Sequence, residues 1–220
     1  MAILRPNYKM SRHFPYRLYL VVSEEACLGR DIVWVTEQAV LGGADIVQIR
    51  EKNKSTQEFK QITIRLKEML DRYSVPLIVN DNLEVAMSCN VFGIHVGNSD
   101  IPPSQIRQQW ADCKMLGYSV EYIEQFFNAE IQYADYLGIS PVFSTPTKTD
   151  TVTEWGLEGI LNIRALTDKP LVAIGNMKAD TAFNVIRAGA DCLAVVSAIC
   201  SADDPKAAAE EIKKQIEKAL

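Results

Sequence analysis

A chain of 220 residues that is 48% hydrophobic and 23% charged has the balance of a soluble globular protein with a sizeable core. Its 23 Lys plus Arg against 28 Asp plus Glu leave a net charge of −5, which argues against nucleic acid or an anionic membrane as the main partner. A local basic pocket for a small anion stays open. The five cysteines, Cys27, Cys89, Cys113, Cys192 and Cys200, are dispersed, with no C-x-x-C pair and no His at metal spacing, as expected in a reducing cytoplasm. The longest apolar run near the start, Leu18 to Val22, is too short for a signal-peptide core, and no window reaches the length of a membrane span.

In chain order, eight apolar runs predict strands: Tyr16 to Val22, Ile46 to Arg50, Leu77 to Asn80, Gly93 to Val96, Lys114 to Tyr118, Tyr133 to Ile139, Leu171 to Ile174 and Cys192 to Val196. Runs this continuously apolar suit strands buried on both faces. Between them the apolar positions take helical period. Ile32, Val35, Ala39 and Val40 mark the first such segment, and Phe59, Ile62, Ile64, Leu66 and Leu70 the second, which begins at Ser55. Further helices are predicted over Pro103 to Trp110, Ile123 to Glu130, Leu157 to Leu166, Ala179 to Ala188 and Pro205 to Leu220. Eight strand-helix units average about 27 residues each, with no insertion large enough for a second domain. The expectation is an α/β protein of one domain, a (β/α)₈ barrel over residues 16–220 behind an N-terminal extension of residues 1–15, with an open doubly wound sheet as the rival.

In such a barrel, polar residues at the C-terminal ends of strands share one mouth. The second strand ends in Gln48-Ile49-Arg50-Glu51-Lys52, where alternation puts Gln48, Arg50 and Lys52 on one side and Ile49 and Glu51 on the other. The third and fourth end in Asn80-Asp81-Asn82 and His95-Val96-Gly97-Asn98-Ser99-Asp100. Asp81 and Asp100 then suffice for a hard cation such as Mg²⁺, which keeps waters and phosphates as its other ligands; the plainer reading of each is a helix N-cap. The loop from Ser140 to Asp150 offers hydroxyls and Lys148 for an anion. Gly175 and Ser197, where the seventh and eighth strands pass into helices, suit a phosphate held by backbone amides. His95 reads as a packed, hydrogen-bonded ring and His13 lacks a supporting constellation, so no Ser-His-Asp or Cys-His device is visible. Cations, two carboxylates and phosphate-binding backbone point to electrostatic handling of phosphorylated substrates. A Schiff base on Lys52 or Lys148 is a weaker alternative, since neither is embedded in apolar sequence.

Taken in order, Tyr19-Leu20-Val21-Val22, Gln48-Ile49-Arg50-Glu51-Lys52, Asn80-Asp81, His95-Val96-Gly97 with Asp100, Gly117-Tyr118-Ser119-Val120, Thr145-Pro146-Thr147-Lys148, Val172-Ala173-Ile174-Gly175 and Val196-Ser197-Ala198-Ile199 resemble the thiamine phosphate synthase family from about residue 16 to 205. The resemblance implies a cytoplasmic transferase that joins hydroxymethylpyrimidine diphosphate to thiazole phosphate, releasing diphosphate with Mg²⁺ bound. It also implies roles. Arg50, Lys52, Ser119 and Lys148 would hold the diphosphate, Asp81 and Asp100 its Mg²⁺, and Gln48 and Asn80 the aminopyrimidine. Thr145, Thr147, Gly175, Val196 and Ser197 would hold the thiazole phosphate. The attacking thiazole nitrogen has no proton to surrender, in keeping with the missing base.

Four residues depart from the family's pattern: Asn176 for a second Gly, Asn98 for Gln, Ser140 for Gly before Pro141, and Glu121 where His is common. Two alternatives stay open, the related thiazole tautomerase and a non-catalytic precursor-binding regulator. The retained Thr145-Pro146-Thr147-Lys148 and the absence of His at position 121 favour the synthase over the tautomerase. Small-molecule substrates are the expected partners, with neither nucleic acid nor membrane, and a homo-oligomer is neither required nor excluded.

Overall fold

The computed structural model describes residues 14–144 and 154–220. Eight strands, β1 Leu18–Val22, β2 Ile46–Ile49, β3 Leu77–Asn80, β4 Gly93–Val96, β5 Met115–Val120, β6 Tyr136–Ile139, β7 Leu171–Ile174 and β8 Cys192–Val195, each pair in parallel with the next. Strand β8 returns to β1 with Leu18 opposite Leu193, which closes the barrel and rules out the open sheet. Alternation along each strand sends one set of side chains inward. Low in the barrel that set is apolar, with Ile46, Ile78, Met115 and Cys192 in one cluster. Phe14, ahead of β1, is buried in the same cluster with its ring centroid 5.1 Å from that of Tyr136. Toward the C-terminal ends the inward set turns polar, and this change of character makes the mouth.

Helices cover the outside: α1 Ile32–Leu41, α2 Thr56–Asp71, α3 Leu83–Ser88, α4 Pro103–Gln109, α5 Gly156–Arg164, α6 Ala179–Arg187, α7 Ser197–Cys200 and α8 Pro205–Ala219. Ser55 opens α2 with a capping box, its side chain accepting from the Glu58 N–H while Glu58 accepts from the Ser55 N–H. The packed face of α2 is Phe59, Ile62, Thr63, Leu66, Met69 and Leu70, whereas Ile64 is exposed. Thr63 takes the place that apolar periodicity gave to Ile64, because its hydroxyl donates to the Phe59 carbonyl at 2.7 Å and needs no outside partner.

Several predicted boundaries shift, and one predicted helix does not form. No α-helix spans 123–130; 3₁₀ turns at Ile123–Phe127 and Ala129–Tyr133 stand there, separated by Asn128 in an extended conformation whose side chain accepts from the Glu130 N–H. The second turn consumes Tyr133, so β6 begins at Tyr136 instead. Strand β1 begins at Leu18, later than Tyr16. Helices α3 and α7, for which the sequence suggested a start but no range, have too few residues to display a period.

At the N-terminal end one device recurs. Ala44-Asp45, Ala134-Asp135 and Ala190-Asp191 each precede a strand, and each Asp N–H donates to the first carbonyl of the preceding strand or its neighbour: Leu18, Leu116 and Leu171 respectively. The same carboxylates accept the N–H groups of Leu18, Leu116 and Leu171. A cation from a helix caps each pair: Lys213 on Asp45 at 2.5 Å, Arg107 on Asp135 at 2.6 Å and Arg164 on Asp191 at 2.9 Å. These staples tie strand to strand and strand to helix on the face opposite the mouth.

Candidate active site

The ends of β2, β3, β4 and β5 surround a cavity of about 280 Å³. Gln48, Arg50, Lys52, Asn80, Asp81, Asp100 and Ser119 all line it, so the predicted convergence holds for these seven residues. Glu51 points away, as alternation requires, and its carboxylate accepts from the Glu24 N–H at 2.6 Å. Neither Asp81 nor Asp100 is an N-cap. Asn82 caps α3, accepting from the Val85 N–H at 2.9 Å, and α4 starts on Pro102 and Pro103 without a side-chain cap.

Asp81 sits at φ 61°, a left-handed position that Asp tolerates better than most residues. Its N–H donates to the His95 carbonyl at 2.9 Å, which ties the β3 end to β4. Burial, and then the neighbouring Asp100 carboxylate, push its pKa up to about 7, against the pull of Arg50 and Lys52. Asp100 is oriented by the Gly97 N–H, which donates to its Oδ2 at 2.8 Å. Two adjacent carboxylates, one with its pKa raised by burial and by the other, form a hard-oxygen donor set. Among the described residues no group of three or more His, Cys, Asp or Glu could hold a metal, so a cation here would complete its shell with waters or an anionic ligand.

Two departures from the family pattern meet at the rim. Glu121 lines the cavity and accepts from the Asn98 side-chain amide at 3.1 Å. Asn98 is itself held by Tyr118 and Gln125, which donate to its Oδ1 at 2.8 and 2.6 Å. Below them, sequence reasoning passed over two residues. Tyr19 and Tyr136 form the cavity floor together with His95, whose ring nitrogens lie 3.0 Å from the Tyr136 hydroxyl and 2.9 Å from Ser119 Oγ. The available signal was register: Val21 pairs with Gln48, so Tyr19 and Val21 point inward with it.

A second cavity, of about 780 Å³, adjoins the first and shares Val21, Arg50, Ser140, Ile174 and Ala194 with it. Gly175, Val196 and Ser197 line this one. Gly175 has φ 111°, and a Cβ there would come within 2.7 Å of Pro141 Cβ. Asn176 takes φ 53°, so the turn that usually carries a second Gly is made with Asn. Arg30 fastens the far wall, donating to the Ala202 and Cys200 carbonyls at 2.6 and 2.5 Å. Thr145, Thr147, Lys148 and His13 lie outside the described residues.

A closed parallel barrel with cations, paired carboxylates and a glycine turn on the C-terminal strand ends defines an enzyme class that handles phosphorylated small molecules. Comparison narrows the class. A family model for thiamine monophosphate synthase matches residues 18–199. A thiamine-phosphate synthase of Albidiferax ferrireducens is 44% identical over 201 residues, covering 91% of this chain and 92% of the relative. One of Chloroflexus aurantiacus is 41% identical over 209 residues, covering 93% and 96%. Among solved structures, a thiamine phosphate pyrophosphorylase from Pyrococcus furiosus superposes with a TM-score of 0.85 at 32% identity, over 93% of this chain and 97% of that one. The chain belongs to the thiamine monophosphate synthase family and is a transferase.

Proposed function

We propose that residues 16–220 form a catalytic domain that couples hydroxymethylpyrimidine diphosphate to thiazole phosphate, giving thiamine phosphate and diphosphate. The single observation that carries this reading is the pair of adjoining cavities, one lined by Arg50, Lys52, Ser119, Asp81 and Asp100 and the other by the Gly175 turn. The first cavity takes the pyrimidine diphosphate, with Gln48 and Asn80 against the ring and Arg50, Lys52, Ser119 and Lys148 on the diphosphate. The second takes the thiazole phosphate on Gly175, Val196 and Ser197, with Thr145 and Thr147 completing the set. Asp81 and Asp100 suit Mg²⁺ by their donor chemistry, and the bound ion supplies neutralisation of diphosphate charge.

The chain's own side chains do the rest. The hard step is loss of diphosphate from the pyrimidine methylene, and negative charge grows on the departing oxygens as the bond breaks. Arg50 and Lys52 stabilise that charge from fixed positions, Lys148 is assigned the same task by the family resemblance, and the adjoining cavities hold the thiazole nitrogen in line with the methylene. No base is required. The five cysteines are unpaired and buried, which supports a reducing cytoplasm as the protein's location. Among the described residues no helix is long and apolar enough to cross a membrane.

Incubation with both phosphorylated precursors and Mg²⁺, with and without chelator, tests the reading. Thiamine phosphate should form only with the metal present. Turnover of the thiazole alone, without coupling, would instead place the chain with the tautomerases, and inertness toward both would favour a binding role.

A further inference from the structure

The cavity floor carries an unbroken row of polar groups whose middle members, Tyr19, Tyr136 and His95, the coupling mechanism leaves without a task. Gln48 Nε2 donates to the Tyr19 hydroxyl at 3.0 Å, and that hydroxyl lies 2.9 Å from the Tyr136 hydroxyl. The Tyr136 hydroxyl lies 3.0 Å from His95 Nδ1, and His95 Nε2 lies 2.9 Å from Ser119 Oγ. The row crosses the barrel from β2 to β5 through β1, β6 and β4. Both phenols are buried, and burial pushes their pKa values well up, so each keeps its proton and has one to give.

One proton per phenol makes the row directional. Tyr19 accepts from the Gln48 amide and therefore gives its proton to Tyr136, which in turn gives its own to His95 Nδ1. An imidazole that accepts at Nδ1 in its neutral form carries hydrogen on Nε2, and that hydrogen goes to Ser119 Oγ. Ser119 then has its own proton left for whatever occupies the cavity. We propose that Tyr19, Tyr136 and His95 are positioning residues that hold His95 as the neutral Nε2–H tautomer and so present the Ser119 hydroxyl to the cavity as a donor. At the other end, the same direction leaves the Gln48 carbonyl oxygen as an acceptor. One flank of the cavity thus accepts, as a ring amino group requires, and the other donates, as an anionic oxygen requires.

The neighbouring strands are built around this row. A Cβ on Gly117 would overlap the Tyr136 ring and His95 Nδ1, and one on Gly138 would sit 2.9 Å from His95 Cε1. The His95 and Tyr136 rings stack with centroids 5.5 Å apart and planes 25° from parallel. Stacking and close glycines restrict the imidazole to rotation states that keep both ring nitrogens engaged.

The tautomer is measurable without substrate, by two-bond ¹H–¹⁵N correlation spectra of protein labelled at histidine, with His95→Gln identifying the His95 signals. The wild-type ring should show the Nε2–H pattern. A ring found as Nδ1–H would overturn the proposal, because the row would then run the other way and Ser119 would spend its proton on the ring. The kinetic half rests on the synthase reading. Tyr136→Phe removes the donor to Nδ1, so it should mix the tautomers and lower kcat for coupling by about ten- to a hundredfold, the effect of one hydrogen bond to a charged group. KM for the pyrimidine diphosphate should change less than threefold. An Nε2–H ring together with wild-type kcat in Tyr136→Phe would also overturn it. Failure of the wild-type enzyme to couple the precursors would refute the synthase reading and leave the tautomer result standing.

Discussion

Replacing Asp191 by Ala removes the most buried of the three staples on the closed face of the barrel. The Asp191 side chain is only 7% exposed; it accepts from the Leu171 N–H at 2.8 Å and from Arg164 at 2.9 Å. Its loss strands a buried backbone donor and removes a carboxylate paired to Arg164, whose other nitrogen still donates to the Thr167 and Lys169 carbonyls. Breaking a buried pair by deleting one partner costs about 3–5 kcal/mol. The retained carbonyl contacts place Asp191→Ala near the lower end, about 3 kcal/mol. Asp45, 29% exposed, and Asp135, 36% exposed, make the same kind of contacts in wetter surroundings. Solvent screening reduces their costs to about 2 and about 1 kcal/mol. Equilibrium urea unfolding of the three Ala variants should therefore rank them Asp191, Asp45, Asp135, with the first losing roughly 6–12 °C in Tm. Coupling activity at low temperature should be unchanged in all three, since the staples lie at the end away from the mouth. Equal costs, or the largest loss at Asp135, would refute the argument that burial sets the strength of these staples.

Asp81→Asn keeps the left-handed backbone position, which Asn also tolerates, and removes the carboxyl. A group whose pKa is raised on folding contributes stability below its ordinary value of 3.8, and that contribution is lost as pH rises through about 7. The variant should therefore gain stability over wild type at pH 8, with a smaller gain at pH 5 and none at about pH 3.8 or below, in parallel denaturation curves. Its coupling activity should fall at least a hundredfold at every pH, as expected on loss of a ligand to the ion that neutralises the leaving group. Gly175→Ala must fit a Cβ 2.7 Å from Pro141 Cβ at φ 111°, so KM for thiazole phosphate should rise tenfold or more while diphosphate binding, followed by calorimetry, is unchanged. Glu121→Gln removes a carboxylate from the cavity rim but keeps an acceptor for Asn98. Diphosphate affinity should then increase about two- to fivefold, with a steeper gain at low ionic strength. No change would place Glu121 outside the field of the bound anion.

Where side-chain period governed, the sequence was legible. Strands β3, β4 and β7 fall where their apolar runs predicted, and Gln48, Arg50 and Lys52 face one cavity because a strand alternates its side chains. The 3₁₀ turns after β5 escaped because Ile123, Phe126 and Phe127 share the composition of an amphipathic helix, and only the extended backbone of Asn128 tells them apart. Ile64 was misplaced because a Thr that satisfies its own hydroxyl can occupy a core position. Tyr19 and Tyr136 were missed for a different reason. They lie in the middle of apolar runs, where a tyrosine reads as packing, and their polar partners come from strands far away in sequence. The aspartates that staple the closed face were passed over for the same reason, Asp45 and Asp191 falling just ahead of predicted strands and Asp135 inside one.

If the ends of β2 to β5 together hold one anion, calorimetric titration with diphosphate in the presence of Mg²⁺ reads that binding out without any turnover. Wild-type protein should bind about one diphosphate per chain, and Arg50→Ala and Lys52→Ala should each weaken binding by about tenfold or more, as loss of a charge-assisted contact requires. Undiminished affinity in both variants would show that the anion binds elsewhere and that these strand ends do not form its site.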